Sequence, residues 1–148
     1  MTSFLQQLLN AVQSQNAYKA ILGRITKGEY PCEVEGPEGL HLAAILARIH
    51  GISDVPSLVV VPTESEADAL VKDLELLGTF AHLFPWLGTA PYSPVAPQAT
   101  SAGARMQVLG DLLEDENCLV VTSLRSFLAT VPPKSFLADL RIHIETGG

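Results

Sequence analysis

Residues 57–78 read SLVVVPTESEADALVKDLELLG, and three signals meet there. Leu58 to Val61 form an unbroken apolar run, the pattern of a strand buried on both faces. Thr63 and Glu66 then stand at capping-box spacing, the signature of a helix start. Ala67, Leu70, Val71, Leu74 and Leu77 fall on one helical stripe, and Gly78 stops it. A strand running directly into an amphipathic helix is the repeating unit of a parallel, helix-flanked sheet.

The same rhythm extends on both sides. Upstream, Cys32 and Val34 alternate with glutamates as a short strand would, a glycine turn follows, and a helix is expected from about Leu40 to His50. Downstream, AHLF (81–84) reads as another short strand. A proline-rich loop with Pro85, Pro91, Pro94 and Pro97 comes next. A helix resumes near Ser101 with Ala102, Met106, Leu109 and Leu113 on one face. CLVVTS (118–123) is a third buried strand, LRSFLA a short helix, and VPP its stop. The predicted fold class is therefore α/β, with a mostly parallel sheet covered by helices.

The two ends differ from this core. Residues 1–30 read as a helical segment. Phe4, Leu5, Leu8, Leu9 and Val12 make one face, and Tyr18, Ile21, Leu22 and Ile25 another, with Asn16 as the cap of the second helix. At the other end LRIHIETGG (140–148) sets Leu140, Ile142 and Ile144 against Arg141, His143 and Glu145, a half-buried antiparallel strand. We divide the chain into a helical segment 1–30, an α/β domain 31–137, and the start of a second, truncated domain at 138–148.

Composition bounds the chemistry. A hydrophobic share of 47% in 148 residues supports one ordinary core without staples. The net charge of −7 disfavours binding of a phosphate backbone by this chain alone. Cys32 and Cys118 are isolated thiols, as in a reduced intracellular protein. No signal peptide or membrane span is legible, and cytoplasm is the expected location.

The stretch with the sharpest chemical implication is EVEGPEGLHLAAILARI (33–49): strand, glycines, helix N-terminus. A working phosphate loop needs backbone N–H groups aimed at the phosphate, a lysine for the β and γ phosphates, and a Ser or Thr for magnesium. Gly36 and Gly39 supply the turn, but neither lysine nor arginine occurs between Lys27 and Arg48. Glu33, Glu35 and Glu38 would each repel a polyphosphate by about 1 kcal/mol or more. The same glycines serve equally well in a tight strand-to-helix turn.

Other chemistry is sparse. His41, His50, His82 and His143 are scattered without metal-ligand spacing, no G-x-S-x-G elbow occurs, and the acids of DLLEDENC (111–118) read as a solvated helix end. No catalytic residue and no metal ligand is assigned. Phe84, Trp86 and Tyr92 alternate with prolines. Such rings can stack on bases, cover a partner, or pin a long loop against the sheet, and the last reading weighs most.

The order FPWLGTAPYSPVAPQATSAGARMQVLGDLL (84–113), then CLVVTSLRSFLATVPPKSFL (118–137), resembles the N-terminal, UvrB-homologous region of the bacterial transcription-repair coupling factors (Mfd). The resemblance runs from about residue 31 to the end. It includes the aromatic loop, the arginine near the start of the next helix (Arg105), and the short helix ending in prolines. It implies a degenerate P-loop, helicase-type fold similar to the first domain of UvrB. On the UvrB phosphate loop, Gly36 matches the glycine before Ser-Gly-Lys-Thr, so the lysine and threonine positions fall on Gly39 and Leu40. The few residues after Pro97 leave no room for the DNA-clamping hairpin of UvrB.

What the resemblance implies is a non-hydrolysing scaffold that binds no cofactor itself. UvrA would dock through the following domain. ATP, magnesium, DNA and RNA polymerase would be engaged by a translocase motor and other regions outside this fragment. No UvrA contact residue carries over. The rival readings are a functional nucleotide-binding, UvrB-like helicase domain and an unrelated α/β domain.

Overall fold

The computed structural model describes residues 10, 14–88, 99–114 and 117–139. In chain order the elements are α1 (Asn16–Thr26), α2 (Gly39–Gly51), β1 (Ser57–Val61), α3 (Glu64–Leu76), β2 (His82–Phe84), α4 (Ala99–Glu114), β3 (Leu119–Ser123), α5 (Leu124–Phe127) and α6 (Lys134–Asp139). The three strands form a parallel sheet in the order β1-β3-β2. Leu58 lies opposite Val120 and Val59 opposite Val121, while Leu83 pairs with Val121 and Phe84 with Thr122.

Strand pleating sends alternate side chains to opposite faces, and this sets the two halves of the core. On one face Val59, Val61, Leu83, Leu119 and Val121 meet Ala43 of α2 and Ala67, Leu70 and Leu74 of α3. Leu74 is fully buried, a contribution of about 2 kcal/mol. On the other face Phe84, Cys118 and Val120 meet Val108 and Leu109 of α4. Tyr18 docks α1 on α2 beside Ala44 and Ile45. Helices on both faces of a parallel sheet agree with the α/β expectation.

The predicted cap of α3 is present: the Glu66 N–H donates to Thr63 Oγ1 at 3.2 Å. In α1, Gln15 occupies the cap position and Asn16 is the first helical residue, so Asn16 is not the cap.

Four further expectations need correction. No strand forms at Cys32–Val34: the backbone there finds no ladder among the described residues, and Val34 is exposed. Two apolar residues between glutamates bury too little to offset that. β1 is not buried on both faces, since Leu58 and Val60 are open. The long helix on that face, α4, packs on the β2–β3 half and leaves β1 largely uncovered. The continuous buried run is instead β3, the central strand, where every residue is buried. In α4 the buried residues are Arg105 and Val108, with Met106 exposed, so the stripe is rotated from the predicted one. Finally, the VPP stop is also a start, because α6 begins directly after Pro133.

The apolar face of the predicted first helix and the strand at 140–148 lie outside the described residues. Among the described residues no helix is long and apolar enough to cross a membrane.

Candidate functional site

In a parallel sheet all strands point one way, and ligands of α/β folds gather at the carboxyl ends. Two features stand there, a cavity under the glycine turn and a buried polar network.

The cavity lies where the turn meets β1 and α3. Gly36 and Gly39 both have positive φ, +100° and +53°, the region that favours glycine. Gly39 is the first residue of α2, and Leu40, half-buried, the second. Two positive-φ glycines thus lead into a helix N-terminus, and no strand precedes them among the described residues. Leu42, Val61 and Leu70 form an apolar floor of a space of about 490 Å³. Its ionisable lining is Glu38, Glu66 and Asp73, with no lysine or arginine. Gly39 lines this space, whereas Gly36 and Leu40 do not. A Cβ at Gly36 or Gly39 would meet nothing within 4 Å, so backbone angle rather than crowding selects glycine there.

The network is built on Arg105. Its Nη1 donates to the Pro85 carbonyl at 3.0 Å and to Ser126 Oγ at 2.8 Å. Its guanidinium lies 3.9 Å from the centre of the Phe84 ring. Ser126 Oγ donates to the same Pro85 carbonyl at 2.9 Å, and its N–H donates to Ser123 Oγ at 3.0 Å, capping α5. Ser123 Oγ donates in turn to Glu64 Oε1, and Glu64 Oε2 accepts the Trp86 N–H at 3.4 Å. Thr122 Oγ1 donates to the Phe84 carbonyl at 2.9 Å. Burial pushes the Arg105 pKa down, and the charge of Glu64 partly offsets this. The arrangement fixes the exits of β1, β2 and β3 against one another.

Of the aromatic loop, Phe84 is buried beneath Arg105, and Trp86 is half-buried beneath the Arg125 guanidinium at 4.5 Å. Both rings hold the loop to the sheet. Tyr92 lies outside the described residues. The polar chain Glu64–Ser123–Ser126–Arg105 is not anticipated by the sequence reading. Its only sequence signals are an arginine inside the α4 stripe and Ser123 and Ser126 at capping spacing.

At the amino ends of the strands, His50 Nδ1 meets Ser57 Oγ at 3.1 Å and His82 Nδ1 meets Asp111 Oδ2 at 3.4 Å. Among the described residues no three His, Cys, Asp or Glu side chains are arranged to hold a metal ion. Comparison with protein-family models, with curated proteins and with solved structures found no match.

Proposed function

We propose that this chain is the degenerate helicase-like module, similar to the first domain of UvrB, of a bacterial transcription-repair coupling factor. It serves as a non-hydrolysing scaffold in transcription-coupled nucleotide-excision repair and helps bring UvrA to stalled RNA polymerase. ATP, magnesium and DNA are handled by other parts of such proteins. One observation carries the reading. The glycine turn keeps its positive-φ geometry, while the space beneath it is lined by Glu38, Glu66 and Asp73 instead of a cation. Three carboxylates and no counter-charge disfavour a polyphosphate electrostatically. The resemblance across residues 84–137 supplies the biological setting.

Deleting the gene tests that setting. The deletion is expected to abolish the faster repair of the transcribed strand after ultraviolet damage, while slow repair of both strands persists. Unchanged strand bias contradicts the proposal.

A further inference from the structure

The sheet has two edges, and they are not alike. β2 is three residues long, whereas β1 presents five, Ser57–Val61, to the outside. In a parallel pair only alternate residues of a strand turn their backbone groups toward the neighbour. The Ser57 N–H donates to the Cys118 carbonyl at 2.9 Å, which fixes the phase. Ser57, Val59 and Val61 therefore face β3, and the N–H and C=O groups of Leu58 and Val60 point outward. These groups have no partner among the described residues. Edge strands are ordinarily guarded by a charged residue, a bulge or a proline. Between Asp54 and Glu64 no residue is charged, the β1–β3 register is unbroken, and Pro56 and Pro62 stand just outside the strand. The outward pair also exposes its side chains, Leu58 by 55% and Val60 by 40%. Leu58 borders an apolar groove of about 240 Å³ that it shares with Val120 and Phe127.

A row of outward donors and acceptors is matched by extended backbone, so the occupant of this edge is a strand. The position of α2 decides whose strand it is. His50 Nδ1 meets Ser57 Oγ at one end of β1, and Leu42 shares a cavity with Val61 at the other. α2 thus runs alongside β1, opposite in direction, on the face that α3 also covers. A second copy pairing β1 with β1 about a two-fold axis would hold the two strands about 4.8 Å apart. Both α2 helices would then share one face of the joined sheet, where packed helices need about 8–10 Å between axes. A lone strand meets no such obstacle. We infer that the outer edge of β1 docks an extended, uncharged segment of a partner protein, rich in aliphatic and β-branched residues, as a fourth strand. Its main chain bonds Leu58 and Val60, and its apolar side chains lie beside theirs.

A display library of random peptides, selected on the full chain, tests this. Enriched peptides are expected to carry an aliphatic, β-branched run without charges. In the free chain, amide exchange followed by NMR should be fast at Leu58 and Val60 and slow at Val59 and Val61. A selected peptide should slow exchange at Leu58 and Val60 by about tenfold or more. N-methyl groups on alternate residues of that peptide separate main-chain pairing from apolar adhesion. One alternation should weaken binding about tenfold or more and the other leave it nearly unchanged, because only every second amide faces β1. The protein is unaltered in this comparison, so misfolding cannot imitate the result. Equal effects of the two alternations overturn the inference. So do slow exchange at Leu58 and Val60 in the free chain, and failure to enrich any peptide that protects them. A concentration-dependent dimer that protects the same two amides also overturns it, because the edge would then belong to a second copy.

Discussion

Arg105 Nη1 lies 2.8 Å from Ser126 Oγ, and both groups converge on the carbonyl oxygen of Pro85. Residues from two separate stretches thereby share one acceptor on a third. Arg105 is 4% exposed, a costly place for a guanidinium unless it is hydrogen-bonded and charge-compensated. Here the bonds run from α4 to α5 and to the exit of β2, with Glu64 as the nearby counter-charge.

Arg105→Ala is therefore expected to lower stability by about 3 kcal/mol, since it strips Phe84 of its cover and removes a buried guanidinium that bonds the Pro85 carbonyl and Ser126. Ser126→Ala should cost about 1–2 kcal/mol, because the Pro85 carbonyl retains the arginine. Urea unfolding followed by circular dichroism measures both. A loss below about 1 kcal/mol for Arg105→Ala would contradict a stabilising role for the network.

The two faces of the sheet predict a contrast. Leu74→Ala, at a site with no exposure, should cost about 2–5 kcal/mol. Leu58→Ala, on the open half of β1, should change stability by about 0.5 kcal/mol or less. Equal losses in chemical denaturation would mean that the groove face is covered.

Tyr18 is 5% exposed and its hydroxyl has no hydrogen-bond partner among the described residues. Burial raises its pKa above 10.0, an effect that Arg48 partly opposes. The folded state thus holds the proton more tightly than the unfolded state. Stability from this source is full below pH about 10 and falls as the pH rises through the folded value. Tyr18→Phe should remove that alkaline loss and raise stability at neutral pH by about 1 kcal/mol. Thermal unfolding of both proteins across the alkaline range checks it, and a destabilised phenylalanine variant would show that the hydroxyl is needed.

The proposed relic can be tested at Gly39 by supplying what a phosphate loop requires. In Gly39→Lys the new Cβ meets nothing within 4 Å, so the cost at the backbone is the strain at φ +53°, about 1–2 kcal/mol. Combined with Leu40→Thr, it should leave the fold intact and introduce measurable ATP affinity that the parent chain is expected to lack. A variant as inert as its parent would mean that the turn geometry is unsuited to phosphate whatever its side chains.

Much of this fold is legible because local patterns and tertiary packing agree. The 57–78 stretch folds as a strand, a threonine-capped helix and a glycine stop, and the buried run at 119–123 is the central strand. What the sequence does not reveal depends on neighbours. The run Leu58–Val61 lacks the apolar–polar alternation of a half-open strand, so nothing local shows that α4 leaves one face of it open. Cys32 and Val34 have the alternation of a strand but find no ladder among the described residues. The glycine turn is visible locally, whereas Glu66 and Asp73 join Glu38 beneath it only once α3 packs beside α2. The Arg105 network is illegible for the same reason. Its members Glu64, Arg105 and the Ser123–Ser126 pair are distant in sequence and meet only after the sheet forms.

The central proposal is that the glycine turn is the relic of a phosphate site and no longer binds nucleotide. Isothermal titration of the chain with ATP and magnesium tests it most directly. The account predicts no binding heat, and no rise in Tm at millimolar nucleotide. A micromolar Kd, with a matching rise in Tm, would contradict it and make this a working nucleotide-binding domain.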